Sequence, residues 1–129
     1  MNADEKRDLI SYRLKKAKET FQEIHILTEN KLWNTAVSRL YYSCFYAISA
    51  LLVEHDFVTK THAGARQLFG LHFIKPGIVD PELGRFYSKL FELRHSSDYN
   101  DFMNFGEQEV LPLIEPAEKL INRIEEILK

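Results

Sequence analysis

The chain has 129 residues, enough for one domain around one core, and residues 1–129 are read as a single domain. Seventeen lysines and arginines stand against 19 aspartates and glutamates, a net charge of −2, which removes any global electrostatic case for nucleic acid and leaves only a local patch. One cysteine, Cys44, excludes an intrachain disulfide and fits a reducing compartment. With a charged, mixed N-terminus and no spanning segment, the expectation is a cytoplasmic protein without membrane contact.

The first helix is predicted over residues 4 to about 29, from Ile10, Leu14, Ala17, Phe21, Ile24 and Leu27 at three- and four-residue steps. Lysines and glutamates between them make a solvated face. After a weak break at Asn30 comes the central helix, Asn34 to Glu54, which is apolar around most of its circumference. Arg39 inside it rules against a membrane span and demands a partner, for which Asp98 is the expected residue. Residues His55 to His62 break the pattern, and Thr61 caps a short third helix, Ala63 to about Ile74, which Lys75-Pro76-Gly77 stops.

Asp80-Pro81-Glu82 is a strong helix start, with an acidic cap and proline in the first turn. The fourth helix runs from Pro81 to about Tyr99, and its stripe of Leu83, Phe86, Tyr87, Leu90, Phe91 and Arg94 ends in an Arg94–Asp98 pair at i,i+4. Asn100 to Gly106 is read as a loop with aromatic anchors. The last helix carries Val110, Leu113, Ala117, Leu120, Ile121, Ile124 and Leu128, and Pro112 and Pro116 predict a kinked or late start. The fold class is therefore all-α: an antiparallel up-and-down bundle of about five helices, four long and one short.

Two constellations carry candidate chemistry. One is Arg94-His95-Ser96-Ser97-Asp98-Tyr99, where an apolar stripe gives way to charge. It is either a phosphate site or a structural ion pair. The other is Arg39 with Tyr41, Tyr42 and Tyr46, either a recognition surface or dimer packing. His25, His55, His62, His72 and His95 form no zincin-type pair, and His55, Asp56 and His62 are too few for a closed metal site, so neither metal nor other cofactor is expected. Cys44 lies in an apolar helix and no nucleophile elbow is present.

Ala36-Val37-Ser38-Arg39-Leu40-Tyr41-Tyr42-Ser43-Cys44-Phe45-Tyr46-Ala47 resembles the signature of HEPN domains. Lys60-Thr61-His62-Ala63-Gly64 is similar to a K-x-H-x-G segment of that family, and Leu93-Arg94 with Asp98-Tyr99 is similar to its late R-x3-D-Y. The three blocks stand in family order across nearly the whole chain. The resemblance implies a helical bundle that dimerises, a prokaryotic setting, and a minimal nucleotidyltransferase partner in a toxin–antitoxin or defence system. It also implies a choice of activity. Catalytic members are metal-independent ribonucleases with an arginine and, four to six residues on, a histidine. Arginine there stabilises phosphate charge and histidine moves the 2′-hydroxyl proton.

This chain has Tyr99 five positions after Arg94, then Asn100 and Asp101. Tyrosine titrates near 10 and is a poor base at neutral pH. His95 is turned about 100° away from Arg94 along a helix. Arg66 and His72 meet the bare spacing, but on the short third helix. The expected function is thus a homodimeric binding module with a degenerate ribonuclease motif. Arg94, Asp98 and Tyr99, supported by Arg39 and Tyr42, would bind a nucleotide or RNA phosphate. The alternative is an active ribonuclease toxin using Arg94 with His95 or Tyr99.

Overall fold

The computed structural model describes residues 1–99 and 104–129. The helices are α1 (Ala3–Gln22), α2 (Ile24–Glu29), α3 (Trp33–Glu54), α4 (His62–Phe69), α5 (Pro81–Tyr99) and α6 (Glu107–Leu128). A single π-helical turn, Gly70–Ile74, extends α4, and no strand occurs among the described residues. The all-α bundle expected from the periodicity is the observed fold, with four long helices. The first predicted helix is divided at Glu23 into α1 and α2, and the third loses its α-helical register after Phe69. Part of the loop expected from Asn100 to Gly106 lies outside the described residues.

Helix ends follow local chemistry. Asn2 and Glu5 cap α1 reciprocally, each side chain taking the other's backbone N–H. Asp80 accepts from the Glu82 N–H at 2.8 Å, the start read from the sequence. Gly77 takes φ +84 after the π turn, a conformation that favours glycine, and so ends the segment where Lys75-Pro76-Gly77 predicted. Pro112 and Pro116 both lie inside α6, which begins at Glu107, so the helix does not start late. Pro112 is exposed, and Pro116 is half-buried at the flank of the core line of Val110, Leu113, Ala117 and Leu120.

Helix α3 is the axle of the bundle, packed by α1, α2, α4, α5 and α6. It is long and apolar enough to cross a membrane by length and composition, yet 67% of its most apolar window is buried inside the bundle, as in a core helix. Val37, Leu40, Tyr41, Cys44, Ile48 and Leu51 are all sealed from solvent at helical spacing. Tyr42, Phe45 and Tyr46 are only partly covered, so its all-round apolar character is not consumed by its own core.

Three polar links set α1 antiparallel to α3: Lys6 with Asp56, Arg13 with Ser49, and Thr20 with Arg39. Helix α6 runs along α3 in the same sense, from the Phe105 N–H on Asn34 to Ala117 beside Cys44. Ile48→Ala should lower the unfolding free energy by about 2–5 kcal/mol. Ile26→Ala, at a 53% exposed position, should change it by less than about 0.5 kcal/mol. Urea denaturation of the two variants checks this.

Candidate functional site

Arg94 lies on the buried stripe of α5 that begins with Tyr87 and Leu90. Its side chain is 11% exposed, so its charge must be met by neighbours. Nη1 donates to the Tyr42 hydroxyl at 3.0 Å, and Nε faces Asp98 Oδ2 at 3.5 Å. The guanidinium carbon stands 4.9 Å from the centre of the Tyr41 ring and 5.6 Å from that of Tyr42. The sequence-predicted Arg94, Asp98 and Tyr42 are therefore brought together, with two aromatic faces supplying cation–π attraction.

Beside them is a residue that the sequence did not place in the site. His62, the first residue of α4, packs its ring 5.7 Å from Tyr41, 5.8 Å from Tyr42 and 4.3 Å from Phe45. Its Nδ1 is 2.8 Å from the Tyr41 hydroxyl, which also receives the Tyr87 hydroxyl at 3.3 Å. Tyr41 and Tyr87 are both buried, and their hydroxyl protons need acceptors. The Tyr87 proton goes to Tyr41, so the Tyr41 proton goes to His62 Nδ1. A neutral imidazole has one donor and one acceptor, so Nε2 carries the hydrogen. His62 is thereby a neutral N–H donor beside an arginine. The only sequence signal for it was the Lys60-to-Gly64 segment, for which no role could be read.

The local chain explains why His62 is held there. Thr61 Oγ1 accepts the Gly64 N–H at 2.9 Å and caps α4 as expected. A Cβ on Gly64 would come within 2.3 Å of Thr59 Oγ1 and 2.8 Å of Thr61 Oγ1, so only glycine lets the turn fold this tightly. Burial, and secondarily the Arg94 cation, hold the His62 imidazole below its ordinary range. Burial also lifts the phenols of Tyr41 and Tyr87 above theirs.

The other expected site residues fall elsewhere. Arg39 is not joined to Asp98. Its Nη2 reaches Glu23 at 3.1 Å and Thr20 at 3.5 Å on the facing side of α1. Two physical reasons account for this: Asp98 is already taken by Arg94 one turn away, and the antiparallel register of α1 sets Glu23 against Arg39. His95 and Tyr99 pack on each other, ring centres 4.7 Å apart, and Tyr99 is 74% exposed. His72 stacks on Phe57 and Arg66 pairs with Glu92, so the bare arginine–histidine spacing on α4 assembles no site. Burial pushes the Cys44 thiol up to about 12, which leaves it protonated and inert. No cluster suited to a metal ion occurs among the described residues.

An NMR titration of the imidazoles should find His62 below the ordinary value of about 6.5, and Arg94→Gln should raise it part of the way back, with the burial contribution remaining. For a histidine depressed by folding, the unfolded chain binds the proton more tightly. The stabilisation is therefore complete above the unfolded pKa and is lost as pH falls toward the folded one. A His62 that titrates at or above the ordinary value would contradict the hydrogen-bond chain.

Comparison with known proteins agrees with this architecture. The HEPN domain model matches residues 10–127. The chain is 35% identical to a UPF0332 protein of Thermotoga maritima, over 98% of this chain and 96% of that one. It is 36% identical to a Methanocaldococcus jannaschii protein named "Putative toxin MJ0605", over 95% of this chain and 91% of that one. A second protein of that organism, 28% identical over 89% of this chain and 78% of its own length, also carries toxin in its name. With a family match over nearly its full length and relatives of matching size, the chain belongs to the HEPN domain family.

Proposed function

We propose that this protein is a toxin-class HEPN module that holds the phosphate of a nucleotide or RNA at Arg94 and has little or no ribonuclease activity of its own. The observation that carries the reading is a nearly buried guanidinium backed by two aromatic rings, with His62 tied through Nδ1 to the tyrosine beneath it. With the Tyr41 proton donated to Nδ1, Nε2 is left as a donor. Two N–H groups of this kind suit an anion. Neither offers the lone pair that a base needs to take the 2′-hydroxyl proton. Tyr99, at the expected catalytic position, packs on His95, the residue that follows Arg94.

In this reading Asp98 holds Arg94 when no ligand is bound, and a phosphate competes with it. Tyr42 orients the guanidinium, and Tyr99 supplies an exposed polar contact at the rim. The partly covered aromatics of α3 support a homodimer, because such rings are enriched at interfaces. The proposed setting is the prokaryotic cytoplasm, with a minimal nucleotidyltransferase as partner in a toxin–antitoxin or defence system. The relatives named as toxins support the class of system.

Purified protein incubated with total RNA in chelator should leave it intact. Arg94→Ala should weaken nucleotide binding by about 10–100-fold, the worth of a lost charged hydrogen bond. Arg94→Lys should restore part of it, since a point charge replaces the fork. Robust cleavage that Arg94→Ala abolishes would replace this reading with the active ribonuclease.

A further inference from the structure

A groove of about 410 Å³ runs between α1, α3 and the segment that joins α3 to α4. From Phe45 to Val53 its floor follows α3 for about 12 Å, the reach of about four extended residues. Val58, at its edge, is 86% exposed, the most exposed large apolar side chain among the described residues. The backbone holds it there. The Asp56 N–H donates to the Val53 carbonyl at 3.0 Å and the Phe57 N–H to that of Leu52 at 2.9 Å, the two bonds that close a helix end and turn the chain outward. Lys6 pairs with Asp56 on one side of Val58, and the Phe57 ring stacks on His72. An apolar side chain presented by a fixed turn marks a contact surface.

The charge of the groove narrows its occupant. Its lining includes Arg13 and Lys60 and no carboxylate. Arg13 is half-buried, and its one partner among the described residues is the neutral Ser49 hydroxyl. Lys60 joins no ion pair among those residues. A cation that is partly withdrawn from water beside apolar walls favours a carboxylate from outside. A second copy of this chain does not supply one, because a twofold contact centred on the groove would set the same acid-free lining against itself. Two cations are few for a phosphate backbone, and Leu9, Leu52, Val53 and Val58 offer aliphatic walls that suit side chains rather than bases.

We infer that the groove docks an extended segment of another protein, one that alternates aliphatic and acidic side chains. Alternation places the aliphatic groups on one face, against the floor and Val58, and turns the carboxylates to the rims, where Arg13 and Lys60 stand. Arg94 does not line the groove, so this surface is independent of the phosphate reading.

Fluorescence anisotropy on the full chain, with a labelled peptide of alternating leucine and glutamate, tests it. Replacing glutamate by lysine, or leucine by serine, should weaken binding at least about tenfold. Val58→Ser and Arg13→Gln should each weaken the leucine–glutamate peptide by about tenfold, and Lys60→Gln should lower its affinity and its salt dependence. Ile26→Ser, an equally simple loss of an exposed apolar side chain outside the groove, should leave binding unchanged. In the unaltered protein the Val58 methyl and Phe57 ring resonances should shift with the peptide, which serves if a variant does not fold.

If either altered peptide binds as well as the original, or the Val58 methyls stay silent, the proposal is overturned. Two other results also overturn it. Sedimentation in which Val58→Ser separates a dimer into monomers assigns the groove to a second copy. A uridine oligonucleotide that displaces the peptide and shifts the same resonances assigns it to RNA.

Discussion

Three helices meet at one hydroxyl. Tyr41 is fully buried in α3, yet its oxygen takes a proton from Tyr87 of α5 and gives its own to His62 of α4. A buried hydroxyl that lacks partners costs about 1–3 kcal/mol, so the position of each helix is tied to the direction of this chain. Its ring is equally engaged, stacked on Tyr87 and Phe45 and edge-on to Tyr42 and Phe91. The tight turn into α4, with Gly64 against Thr59 and Thr61, sets His62 at the end of the chain. Arg94 then sits over the same two tyrosines. The site is thus a consequence of how the core is closed rather than an addition to its surface.

What could be read in the sequence was mostly local. The Arg94–Asp98 pair is an i,i+4 contact along one helix, and it formed. The Asp80-Pro81 start and the Thr61 cap depend on neighbours two or three residues away, and both hold. Arg39 needed a partner from another helix, and its true one, Glu23, follows from the register of α1 on α3, which no local pattern encodes. The same limit hid His62. Its placement beside Arg94 depends on the approach of α4 to α5 across α3, and a lone histidine at a helix start carries no sign of that. Tyr41 was legible as a core aromatic, but its role as a junction required knowing that Tyr87 lies 46 residues away in sequence and one hydrogen bond away in space.

The placement of protons bears on the chemistry more than the list of residues does. An arginine with a histidine is the combination expected for ribonuclease action, and the fold does bring those two residue types together. They arrive by a different route, from α5 and α4, and the imidazole arrives with its lone pair already used. Protonating His62 at Nδ1 would turn the Tyr41 hydroxyl back toward Tyr87 and leave the buried Tyr87 proton without an acceptor. The nearby Arg94 charge adds to that cost, in line with the depressed pKa. The hydrogen-bond chain therefore keeps one nitrogen as a donor and opposes the cycle of protonation that acid–base catalysis requires.

The same reasoning separates the movable parts of the site from the fixed ones. Arg94 has two kinds of partner. The rings of Tyr41 and Tyr42 are anchored in α3, and Tyr41 is sealed in the core. Asp98 is 42% exposed and faces Nε across 3.5 Å, a loose contact that water screens. Under the proposed function a phosphate would compete with Asp98 rather than with the rings, because displacing the rings would unpack the helix at the centre of the bundle. The guanidinium is in this way held in position by apolar and cation–π contacts and held in charge balance by an exchangeable carboxylate. On the proposed reading, binding would replace one anion with another and require no rearrangement of the core.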